Sequence, residues 1–164
     1  GLVLIARNKS AAAKYSTLMQ KEGGFNKQYE ALICGKLSEP KGTFVDYLKK
    51  DGRTNTSAIV PADAAANDKD AKLSKLEYEV ISYDEVKDIT HVRIHLITGR
   101  HHQIRVQFAS RRHPLVGDYK YATADCGMDN AVKAVALKRN QIALCAVSLT
   151  VDNKTYSVAP EFLL

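Results

Sequence analysis

From Ile89 to Gly117 the chain carries five histidines (His91, His95, His101, His102, His113) and five arginines (Arg93, Arg100, Arg105, Arg111, Arg112). The same stretch has no aspartate, glutamate or lysine. Arginine in place of lysine is informative, because a guanidinium meets phosphate or carboxylate through two parallel N–H bonds and an ammonium does not. Thr98-Gly99 ends an alternating pattern and delivers Arg100, His101 and His102 to the start of a helical pattern marked by Ile104 and Phe108. Free backbone N–H groups and the dipole at a helix start favour an anion. Strand, glycine turn and basic helix start make a candidate phosphate cradle. A basic solvated surface with a few core histidines fits the same spacing equally well.

Other chemistries find less support. His101 and His102 are adjacent, so they diverge on a helix, and no carboxylate lies near them in sequence; no metal site is expected. GxSxG, GxxxxGK[ST] and GxGxxG are all missing, which removes the usual signatures of serine hydrolysis, nucleotide hydrolysis and dinucleotide redox chemistry. Cys34, Cys126 and Cys145 are far apart, with no CxxC pair, and read as reduced thiols of a cytoplasmic protein. No apolar run reaches the roughly 20 residues of a bilayer span, so no membrane partner is expected. Lys plus Arg outnumber Asp plus Glu by 24 to 18. That excess suits a polyanionic partner without establishing one.

These residues need a scaffold. The 164 residues, 45% of them hydrophobic, suffice for one globular domain. Gly1 to Arg7 is apolar and β-branched and reads as a buried strand, cut into at its first residue, with sequence expected upstream. Asn8 or Ser10 caps a helix through AAAKYSTLMQ, which Gly23-Gly24 ends. A strand from Asn26 to Gly35 places Tyr29, Ala31 and Ile33 on one face. Leu37 to Asp70, rich in Gly, Pro, Asp, Asn and Ala, reads as irregular, with room for short strands, and as the most mobile part. Lys75 to Tyr83 and His91 to Ile97 alternate and form a hairpin through Asp84 to Asp88. Leu144 to Val151 and Thr155 to Val158 form another around Asp152-Asn153. A helix runs from His101 to Ser110, and Ala131 to Leu137 is a short helical or extended piece. The expectation is an α+β fold: a mostly antiparallel or mixed β-sheet with a few flanking helices.

Several segments together resemble one family. Thr98-Gly99-Arg100-His101-His102-Gln103-Ile104-Arg105 resembles the TGRxHQIR segment of RluA-type RNA pseudouridine synthases. His113-Pro114-Leu115-Val116-Gly117-Asp118 with Lys120-Tyr121 resembles their HPLxGDxxY segment. Lys27-Gln28-Tyr29-Glu30-Ala31 resembles KxYxA, and Gly1 to Ala6 resembles the tail of HRLDxxTSGLLLxA. Leu144-Cys145-Ala146 and Ala159-Pro160 match the closing strands. The matches keep the family's order along the whole chain, so residues 1–164 resemble one partial catalytic domain.

The resemblance implies isomerisation of uridine to pseudouridine in ribosomal or transfer RNA. The glycosidic bond moves from N1 to C5, with no cofactor, on a base taken out of its stack. It implies that Tyr29 stacks on the flipped uracil, an interaction worth about 1–3 kcal/mol, and takes part in proton transfer at C5. Without the resemblance Tyr29 reads as core packing. Arg105 is implied to hold the catalytic aspartate ionised, and Ile104 to line the base pocket or simply pack the helix. Arg100, His101, His102 and Gln103 are implied RNA contacts. Asp118 and Tyr121 are expected to brace the fold, Asp118 by capping a turn and Tyr121 by filling a core gap. The aspartate of HRLD aligns ahead of Gly1. The chain alone is therefore expected to be inactive, with solvent or an anion beside Arg105 and self-association through an open sheet face. Two rival readings are a non-enzymatic RNA-binding module and a basic protein that binds an acidic partner through the Ile89–Gly117 block.

Overall fold

The computed structural model describes residues 1–20 and 26–162. Seven strands form one sheet in the order β3-β2-β4-β5-β1-β6-β7. They are β1 (Asn26–Cys34), β2 (Lys41–Asp51), β3 (Thr56–Val60), β4 (Lys72–Asp84), β5 (Ile89–Leu96), β6 (Leu144–Val151) and β7 (Lys154–Ser157). Every neighbouring pair is antiparallel. Among the described residues four helices accompany them: α1 (Lys9–Gln20), α2 (Ala62–Ala65), α3 (Gln103–Ala109) and α4 (Met128–Ala134). This is the α+β architecture that the alternating segments predict.

The core is organised around β1, whose C-terminal half is buried on both faces. Ala31 and Ile33 face a cluster with Leu76, Ile94, Ile104 and Phe108. Leu32 and Cys34 face a second cluster with Val116, Met128 and Ala143. Full burial of a large apolar side chain stabilises by about 1.5–3 kcal/mol, so both clusters anchor this strand. In the first cluster Phe108 meets Phe44 and Tyr78 with ring centroids 5.0 and 5.9 Å apart, both near edge-on. Those contacts seat α3 on the sheet.

Local signals explain the smaller elements. The Asn8 side chain accepts a hydrogen bond from the Ala11 N–H at 2.8 Å, capping α1 as its sequence predicts. The expected stop at Gly23-Gly24 lies outside the described residues. Residues 1–7 differ from expectation: they form no strand, and Val3 and Ile5 are 78% and 79% exposed. The segment joins β6 through one backbone bond, Leu2 N–H to the Ala146 carbonyl at 2.9 Å. β-Branched residues favour a pleated surface only where a partner strand covers them.

Residues 37–70 also differ, because they hold the β2–β3 hairpin rather than an irregular stretch. The alternation is disguised by a polar residue on the inner face. Phe44 and Leu48 point inward, and Asp46 between them is held by Gln107 and Arg111 of the α3 region. The turn is tied by Asp51, which accepts from the Arg53 N–H and the Thr54 hydroxyl, each at 2.8 Å.

Gly117 has a conformation that the core demands. Its φ is +87°, and a Cβ there would stand 2.1 Å from the Gln141 carbonyl oxygen. Gly117→Ala is expected to lower stability by about 1–3 kcal/mol through backbone strain alone, with the clash in addition. Gly52→Ala, where a Cβ meets nothing within 4 Å, should stay within about 0.5 kcal/mol of the parent. Urea-unfolding midpoints of the two variants test the contrast; equal midpoints would contradict it.

Candidate active site

The loop from β5 into α3 is fixed by one buried amide. Gln103 is 3% exposed. Its oxygen accepts from the Thr98 hydroxyl and the Arg100 N–H, both at 3.0 Å. Its nitrogen donates to the Lys75 carbonyl and to Gln107, both at 3.1 Å. Two donors and two lone pairs are the whole capacity of a carboxamide, so nothing is left over for RNA. Gln103 therefore positions the loop rather than touching a ligand. Arg100 is drawn into the same arrangement, its Nε donating to the Leu73 carbonyl at 3.1 Å.

Beyond this loop the side chains converge on Arg105. Its Nε and Nη2 donate to the two oxygens of Asp118 at 2.6 and 2.7 Å. Asp118 is 1% exposed, and the guanidinium lies 4.9 Å from the centre of the Tyr121 ring. Arg105 thus has an acid of its own; it does not stand beside solvent or an anion for want of one. The acid comes from the HPLxGDxxY-like segment, and a fork-to-fork pair is the geometry arginine favours.

The remaining bonds set the protons. Arg105 Nη1 lies 3.0 Å from His102 Nε2, and a guanidinium only donates, so Nε2 accepts. The His102 proton then sits on Nδ1 and goes to the Tyr121 hydroxyl oxygen at 2.8 Å. That oxygen also accepts the Ser57 N–H at 2.8 Å. Ser57 Oγ donates to the His101 carbonyl at 2.9 Å and accepts from His101 Nδ1 at 2.9 Å. The two imidazoles stack, centroids 3.9 Å apart. Burial, then the charge of Arg105, pushes the His102 pKa down to about 4. Burial followed by Lys50, Arg105 and Lys120 lowers that of His101.

The acid-free block of the sequence acquires acids from other elements. Glu30 of β1 takes His91 and Arg93, each at 3.0 Å. Asp46 of β2 takes Arg111, whose guanidinium also covers the Phe44 ring at 4.0 Å. His95 lies 3.5 Å from Glu77, and His113 bonds the Cys34 carbonyl at 3.0 Å. Among the described residues no three His, Cys, Asp or Glu side chains are grouped to hold a metal. Nor is any described helix long and apolar enough to cross a membrane.

Tyr29 occupies a different place. It is half-buried in β1, opposite Ile94 on β5 and Ala146 on β6, just after a register shift between Gln28 and Tyr29. Such shifts re-aim a side chain. Tyr29 packs against the cluster that contains Ile104, and burial raises its pKa. The structure therefore brings Tyr29 and Ile104 to one cluster, and His101, His102 and Arg105 to another around Tyr121. No hydrogen bond or ion pair joins Tyr29 to Arg105 among the described residues. Asp118 and Tyr121 were legible only as fold braces. Ser57, Asp46 and Gln107 had no signal in the sequence, because the strand pairing that carries two of them was hidden.

Residues 1–110 match the profile of RNA pseudouridylate synthases. The chain belongs to that family. It is 35% identical over 123 residues to ribosomal large subunit pseudouridine synthase D of Blochmanniella floridana, and 33% over 131 residues to mouse RNA pseudouridylate synthase domain-containing protein 1. These alignments cover 74% and 76% of this chain but only 35% and 41% of the relatives, so the chain spans well under half of their length. Human RNA pseudouridylate synthase domain containing 1 superposes with a TM-score of 0.68 at 23% identity, over 94% of this chain and 62% of that one. The sheet described above is thus the fold of the RluA-type family.

Two outcomes follow from the Arg105 cluster. Asp118→Ala leaves a largely buried guanidinium unpaired and should cost about 3–5 kcal/mol, whereas Asp118→Leu with Arg105→Met should recover much of it. Chemical denaturation decides; a double variant as unstable as Asp118→Ala would show that the pair is not the cause. The second concerns pH. His102 binds its proton more weakly folded than unfolded, so its contribution is complete above about pH 6.5 and is lost as pH falls toward about 4. The unfolding midpoint should decline across that window, less steeply in His102→Asn. Parallel curves for the two proteins would remove His102 as a source.

Proposed function

We propose that this chain forms part of the catalytic domain of an enzyme that converts uridine to pseudouridine in RNA. Family membership over residues 1–110, which include Tyr29 and Arg105, carries the reading. In the reaction the N1–C1′ bond breaks, a C5–C1′ bond forms, and a proton leaves C5 while N1 gains one. Nothing is oxidised or reduced, and no cofactor is required. Tyr29 stacks on the extruded uracil. Burial beside the core, which raises the phenol pKa, suits a ring that stacks on the base.

Arg105 has five N–H donors, and Asp118 and His102 engage three. The two others suit a second carboxylate, which an adjacent cation keeps ionised, lowering its pKa by about 1–3 units. We assign that carboxylate to the aspartate of the HRLD segment that the resemblance implies. Ribosomal RNA is the first substrate to test, because relatives in Blochmanniella floridana and Vibrio vulnificus are named for the large ribosomal subunit; transfer RNA is the second.

The test is tritium release from ribosomal RNA labelled at uridine C5. The 164-residue chain should release none above blank, and a protein extended upstream through HRLD should release it. In the extended protein Tyr29→Ala should weaken RNA binding by about 1–3 kcal/mol while Tyr29→Phe keeps it. Release by the chain alone would disprove its inactivity, and a folded extended protein without release would sink the enzyme reading.

A further inference from the structure

We propose that the corner between the β2–β3 turn and the Asp118–Tyr121 turn is a contact surface for the RNA phosphate backbone, carried by Lys50 and Lys120. The proposal rests on the RNA reading above and deepens it, since it names residues that neither the resemblance nor the family match assigns.

The geometry starts from the hairpin. Lys50 stands directly opposite Ser57 in the β2–β3 register. Directly opposed residues of an antiparallel pair project to the same face. The face is fixed by Ser57, whose hydroxyl bonds both the ring and the carbonyl of His101. Lys50 therefore shares its face with His101. From the other side, Lys120 reaches the carbonyls of Thr54 and Asn55 on the hairpin turn at 3.4 and 3.3 Å. The two turns are thereby joined, and both lysines are exposed.

The acids near this corner are engaged elsewhere. Neither lysine has an ion pair among the described residues. Asp51 is engaged by its own turn, through the Arg53 N–H and Thr54. Asp118 is buried and matched by Arg105. Lys49, on the opposite face of β2, is taken by Asp68 at 2.7 Å. Lys50, opposite Ser57, and Lys120, next to Tyr121, thus lack a matching acid among the described residues. The lowered His101 pKa, to which Lys50 and Lys120 both contribute after burial, agrees with a positive potential there. Lysine meets phosphate as a point charge without reading sequence, as backbone contacts do.

The experiment titrates the full chain with a fluorescent single-stranded oligouridylate across a range of salt concentrations. For single strands each phosphate contact contributes about 0.7 to the slope of log affinity against log salt. Lys50→Ala with Lys120→Ala should flatten the slope by about 1.4, with circular dichroism and the melting temperature unchanged. Binding with an unaltered slope overturns the proposal and leaves the functional reading intact. No binding by the unsubstituted chain overturns the proposal alone, because the functional reading is tested by tritium release from the extended protein. Polyglutamate bound as tightly as RNA, and equally weakened by the double substitution, would reassign the corner to an acidic protein partner.

Discussion

Asp118 is almost wholly withdrawn from water, and its charge is tolerable there because both oxygens meet the Arg105 guanidinium. Much of the surrounding structure follows from that pair. With one edge of the guanidinium directed at Asp118, Nη1 turns to His102 and settles the tautomer of its imidazole. The His102 proton then finds Tyr121, whose hydroxyl also closes the β3 edge through Ser57. One buried carboxylate thus coordinates the start of α3, the turn after Gly117 and the hairpin of β2 and β3. A chain of bonds of this kind is costly to interrupt, because each member removed leaves a polar group unsatisfied in a poorly hydrated place.

The second organising constraint is β1. Burial on both faces fixes its register against β5 and β6, since a one-residue slip would exchange the two apolar clusters. Tyr29 lies on the same strand, beside the register shift that follows Gln28, and is half-buried. Ile104 links this region to α3, and Arg105 is the next residue of the same helix. A base stacked on Tyr29 would therefore be positioned by the same packing that positions the cation.

Electrostatics in this protein are decided by pairing across strands. The arginine- and histidine-rich stretch resembles a phosphate-binding surface when read in one dimension. In three dimensions Glu30, Asp46 and Asp118 neutralise most of it. Arg100 and Arg112, like Lys50 and Lys120, have no ion pair among the described residues. Arginine is used where a rigid fork must bind a rigid carboxylate.

Local patterns in the sequence were enough for the family, the α+β class, the β4–β5 and β6–β7 hairpins, the cap of α1 and the face of β1 that carries Tyr29. Each is a local signal: alternation, a capping side chain, or an ordered set of short segments that survives without knowledge of contacts. Tertiary structure alone decided the partners. The acid for Arg105 lies thirteen positions along the chain, and that for Arg111 lies sixty-five away. Asp46 hid a strand because a polar residue on an inner face breaks the pattern until its partner is known. Residues 1–7 showed the reverse, a strand-like pattern joined to β6 through a single backbone bond. Periodicity reports which face a side chain takes, but charge pairing and strand neighbours depend on which distant segments the fold brings together.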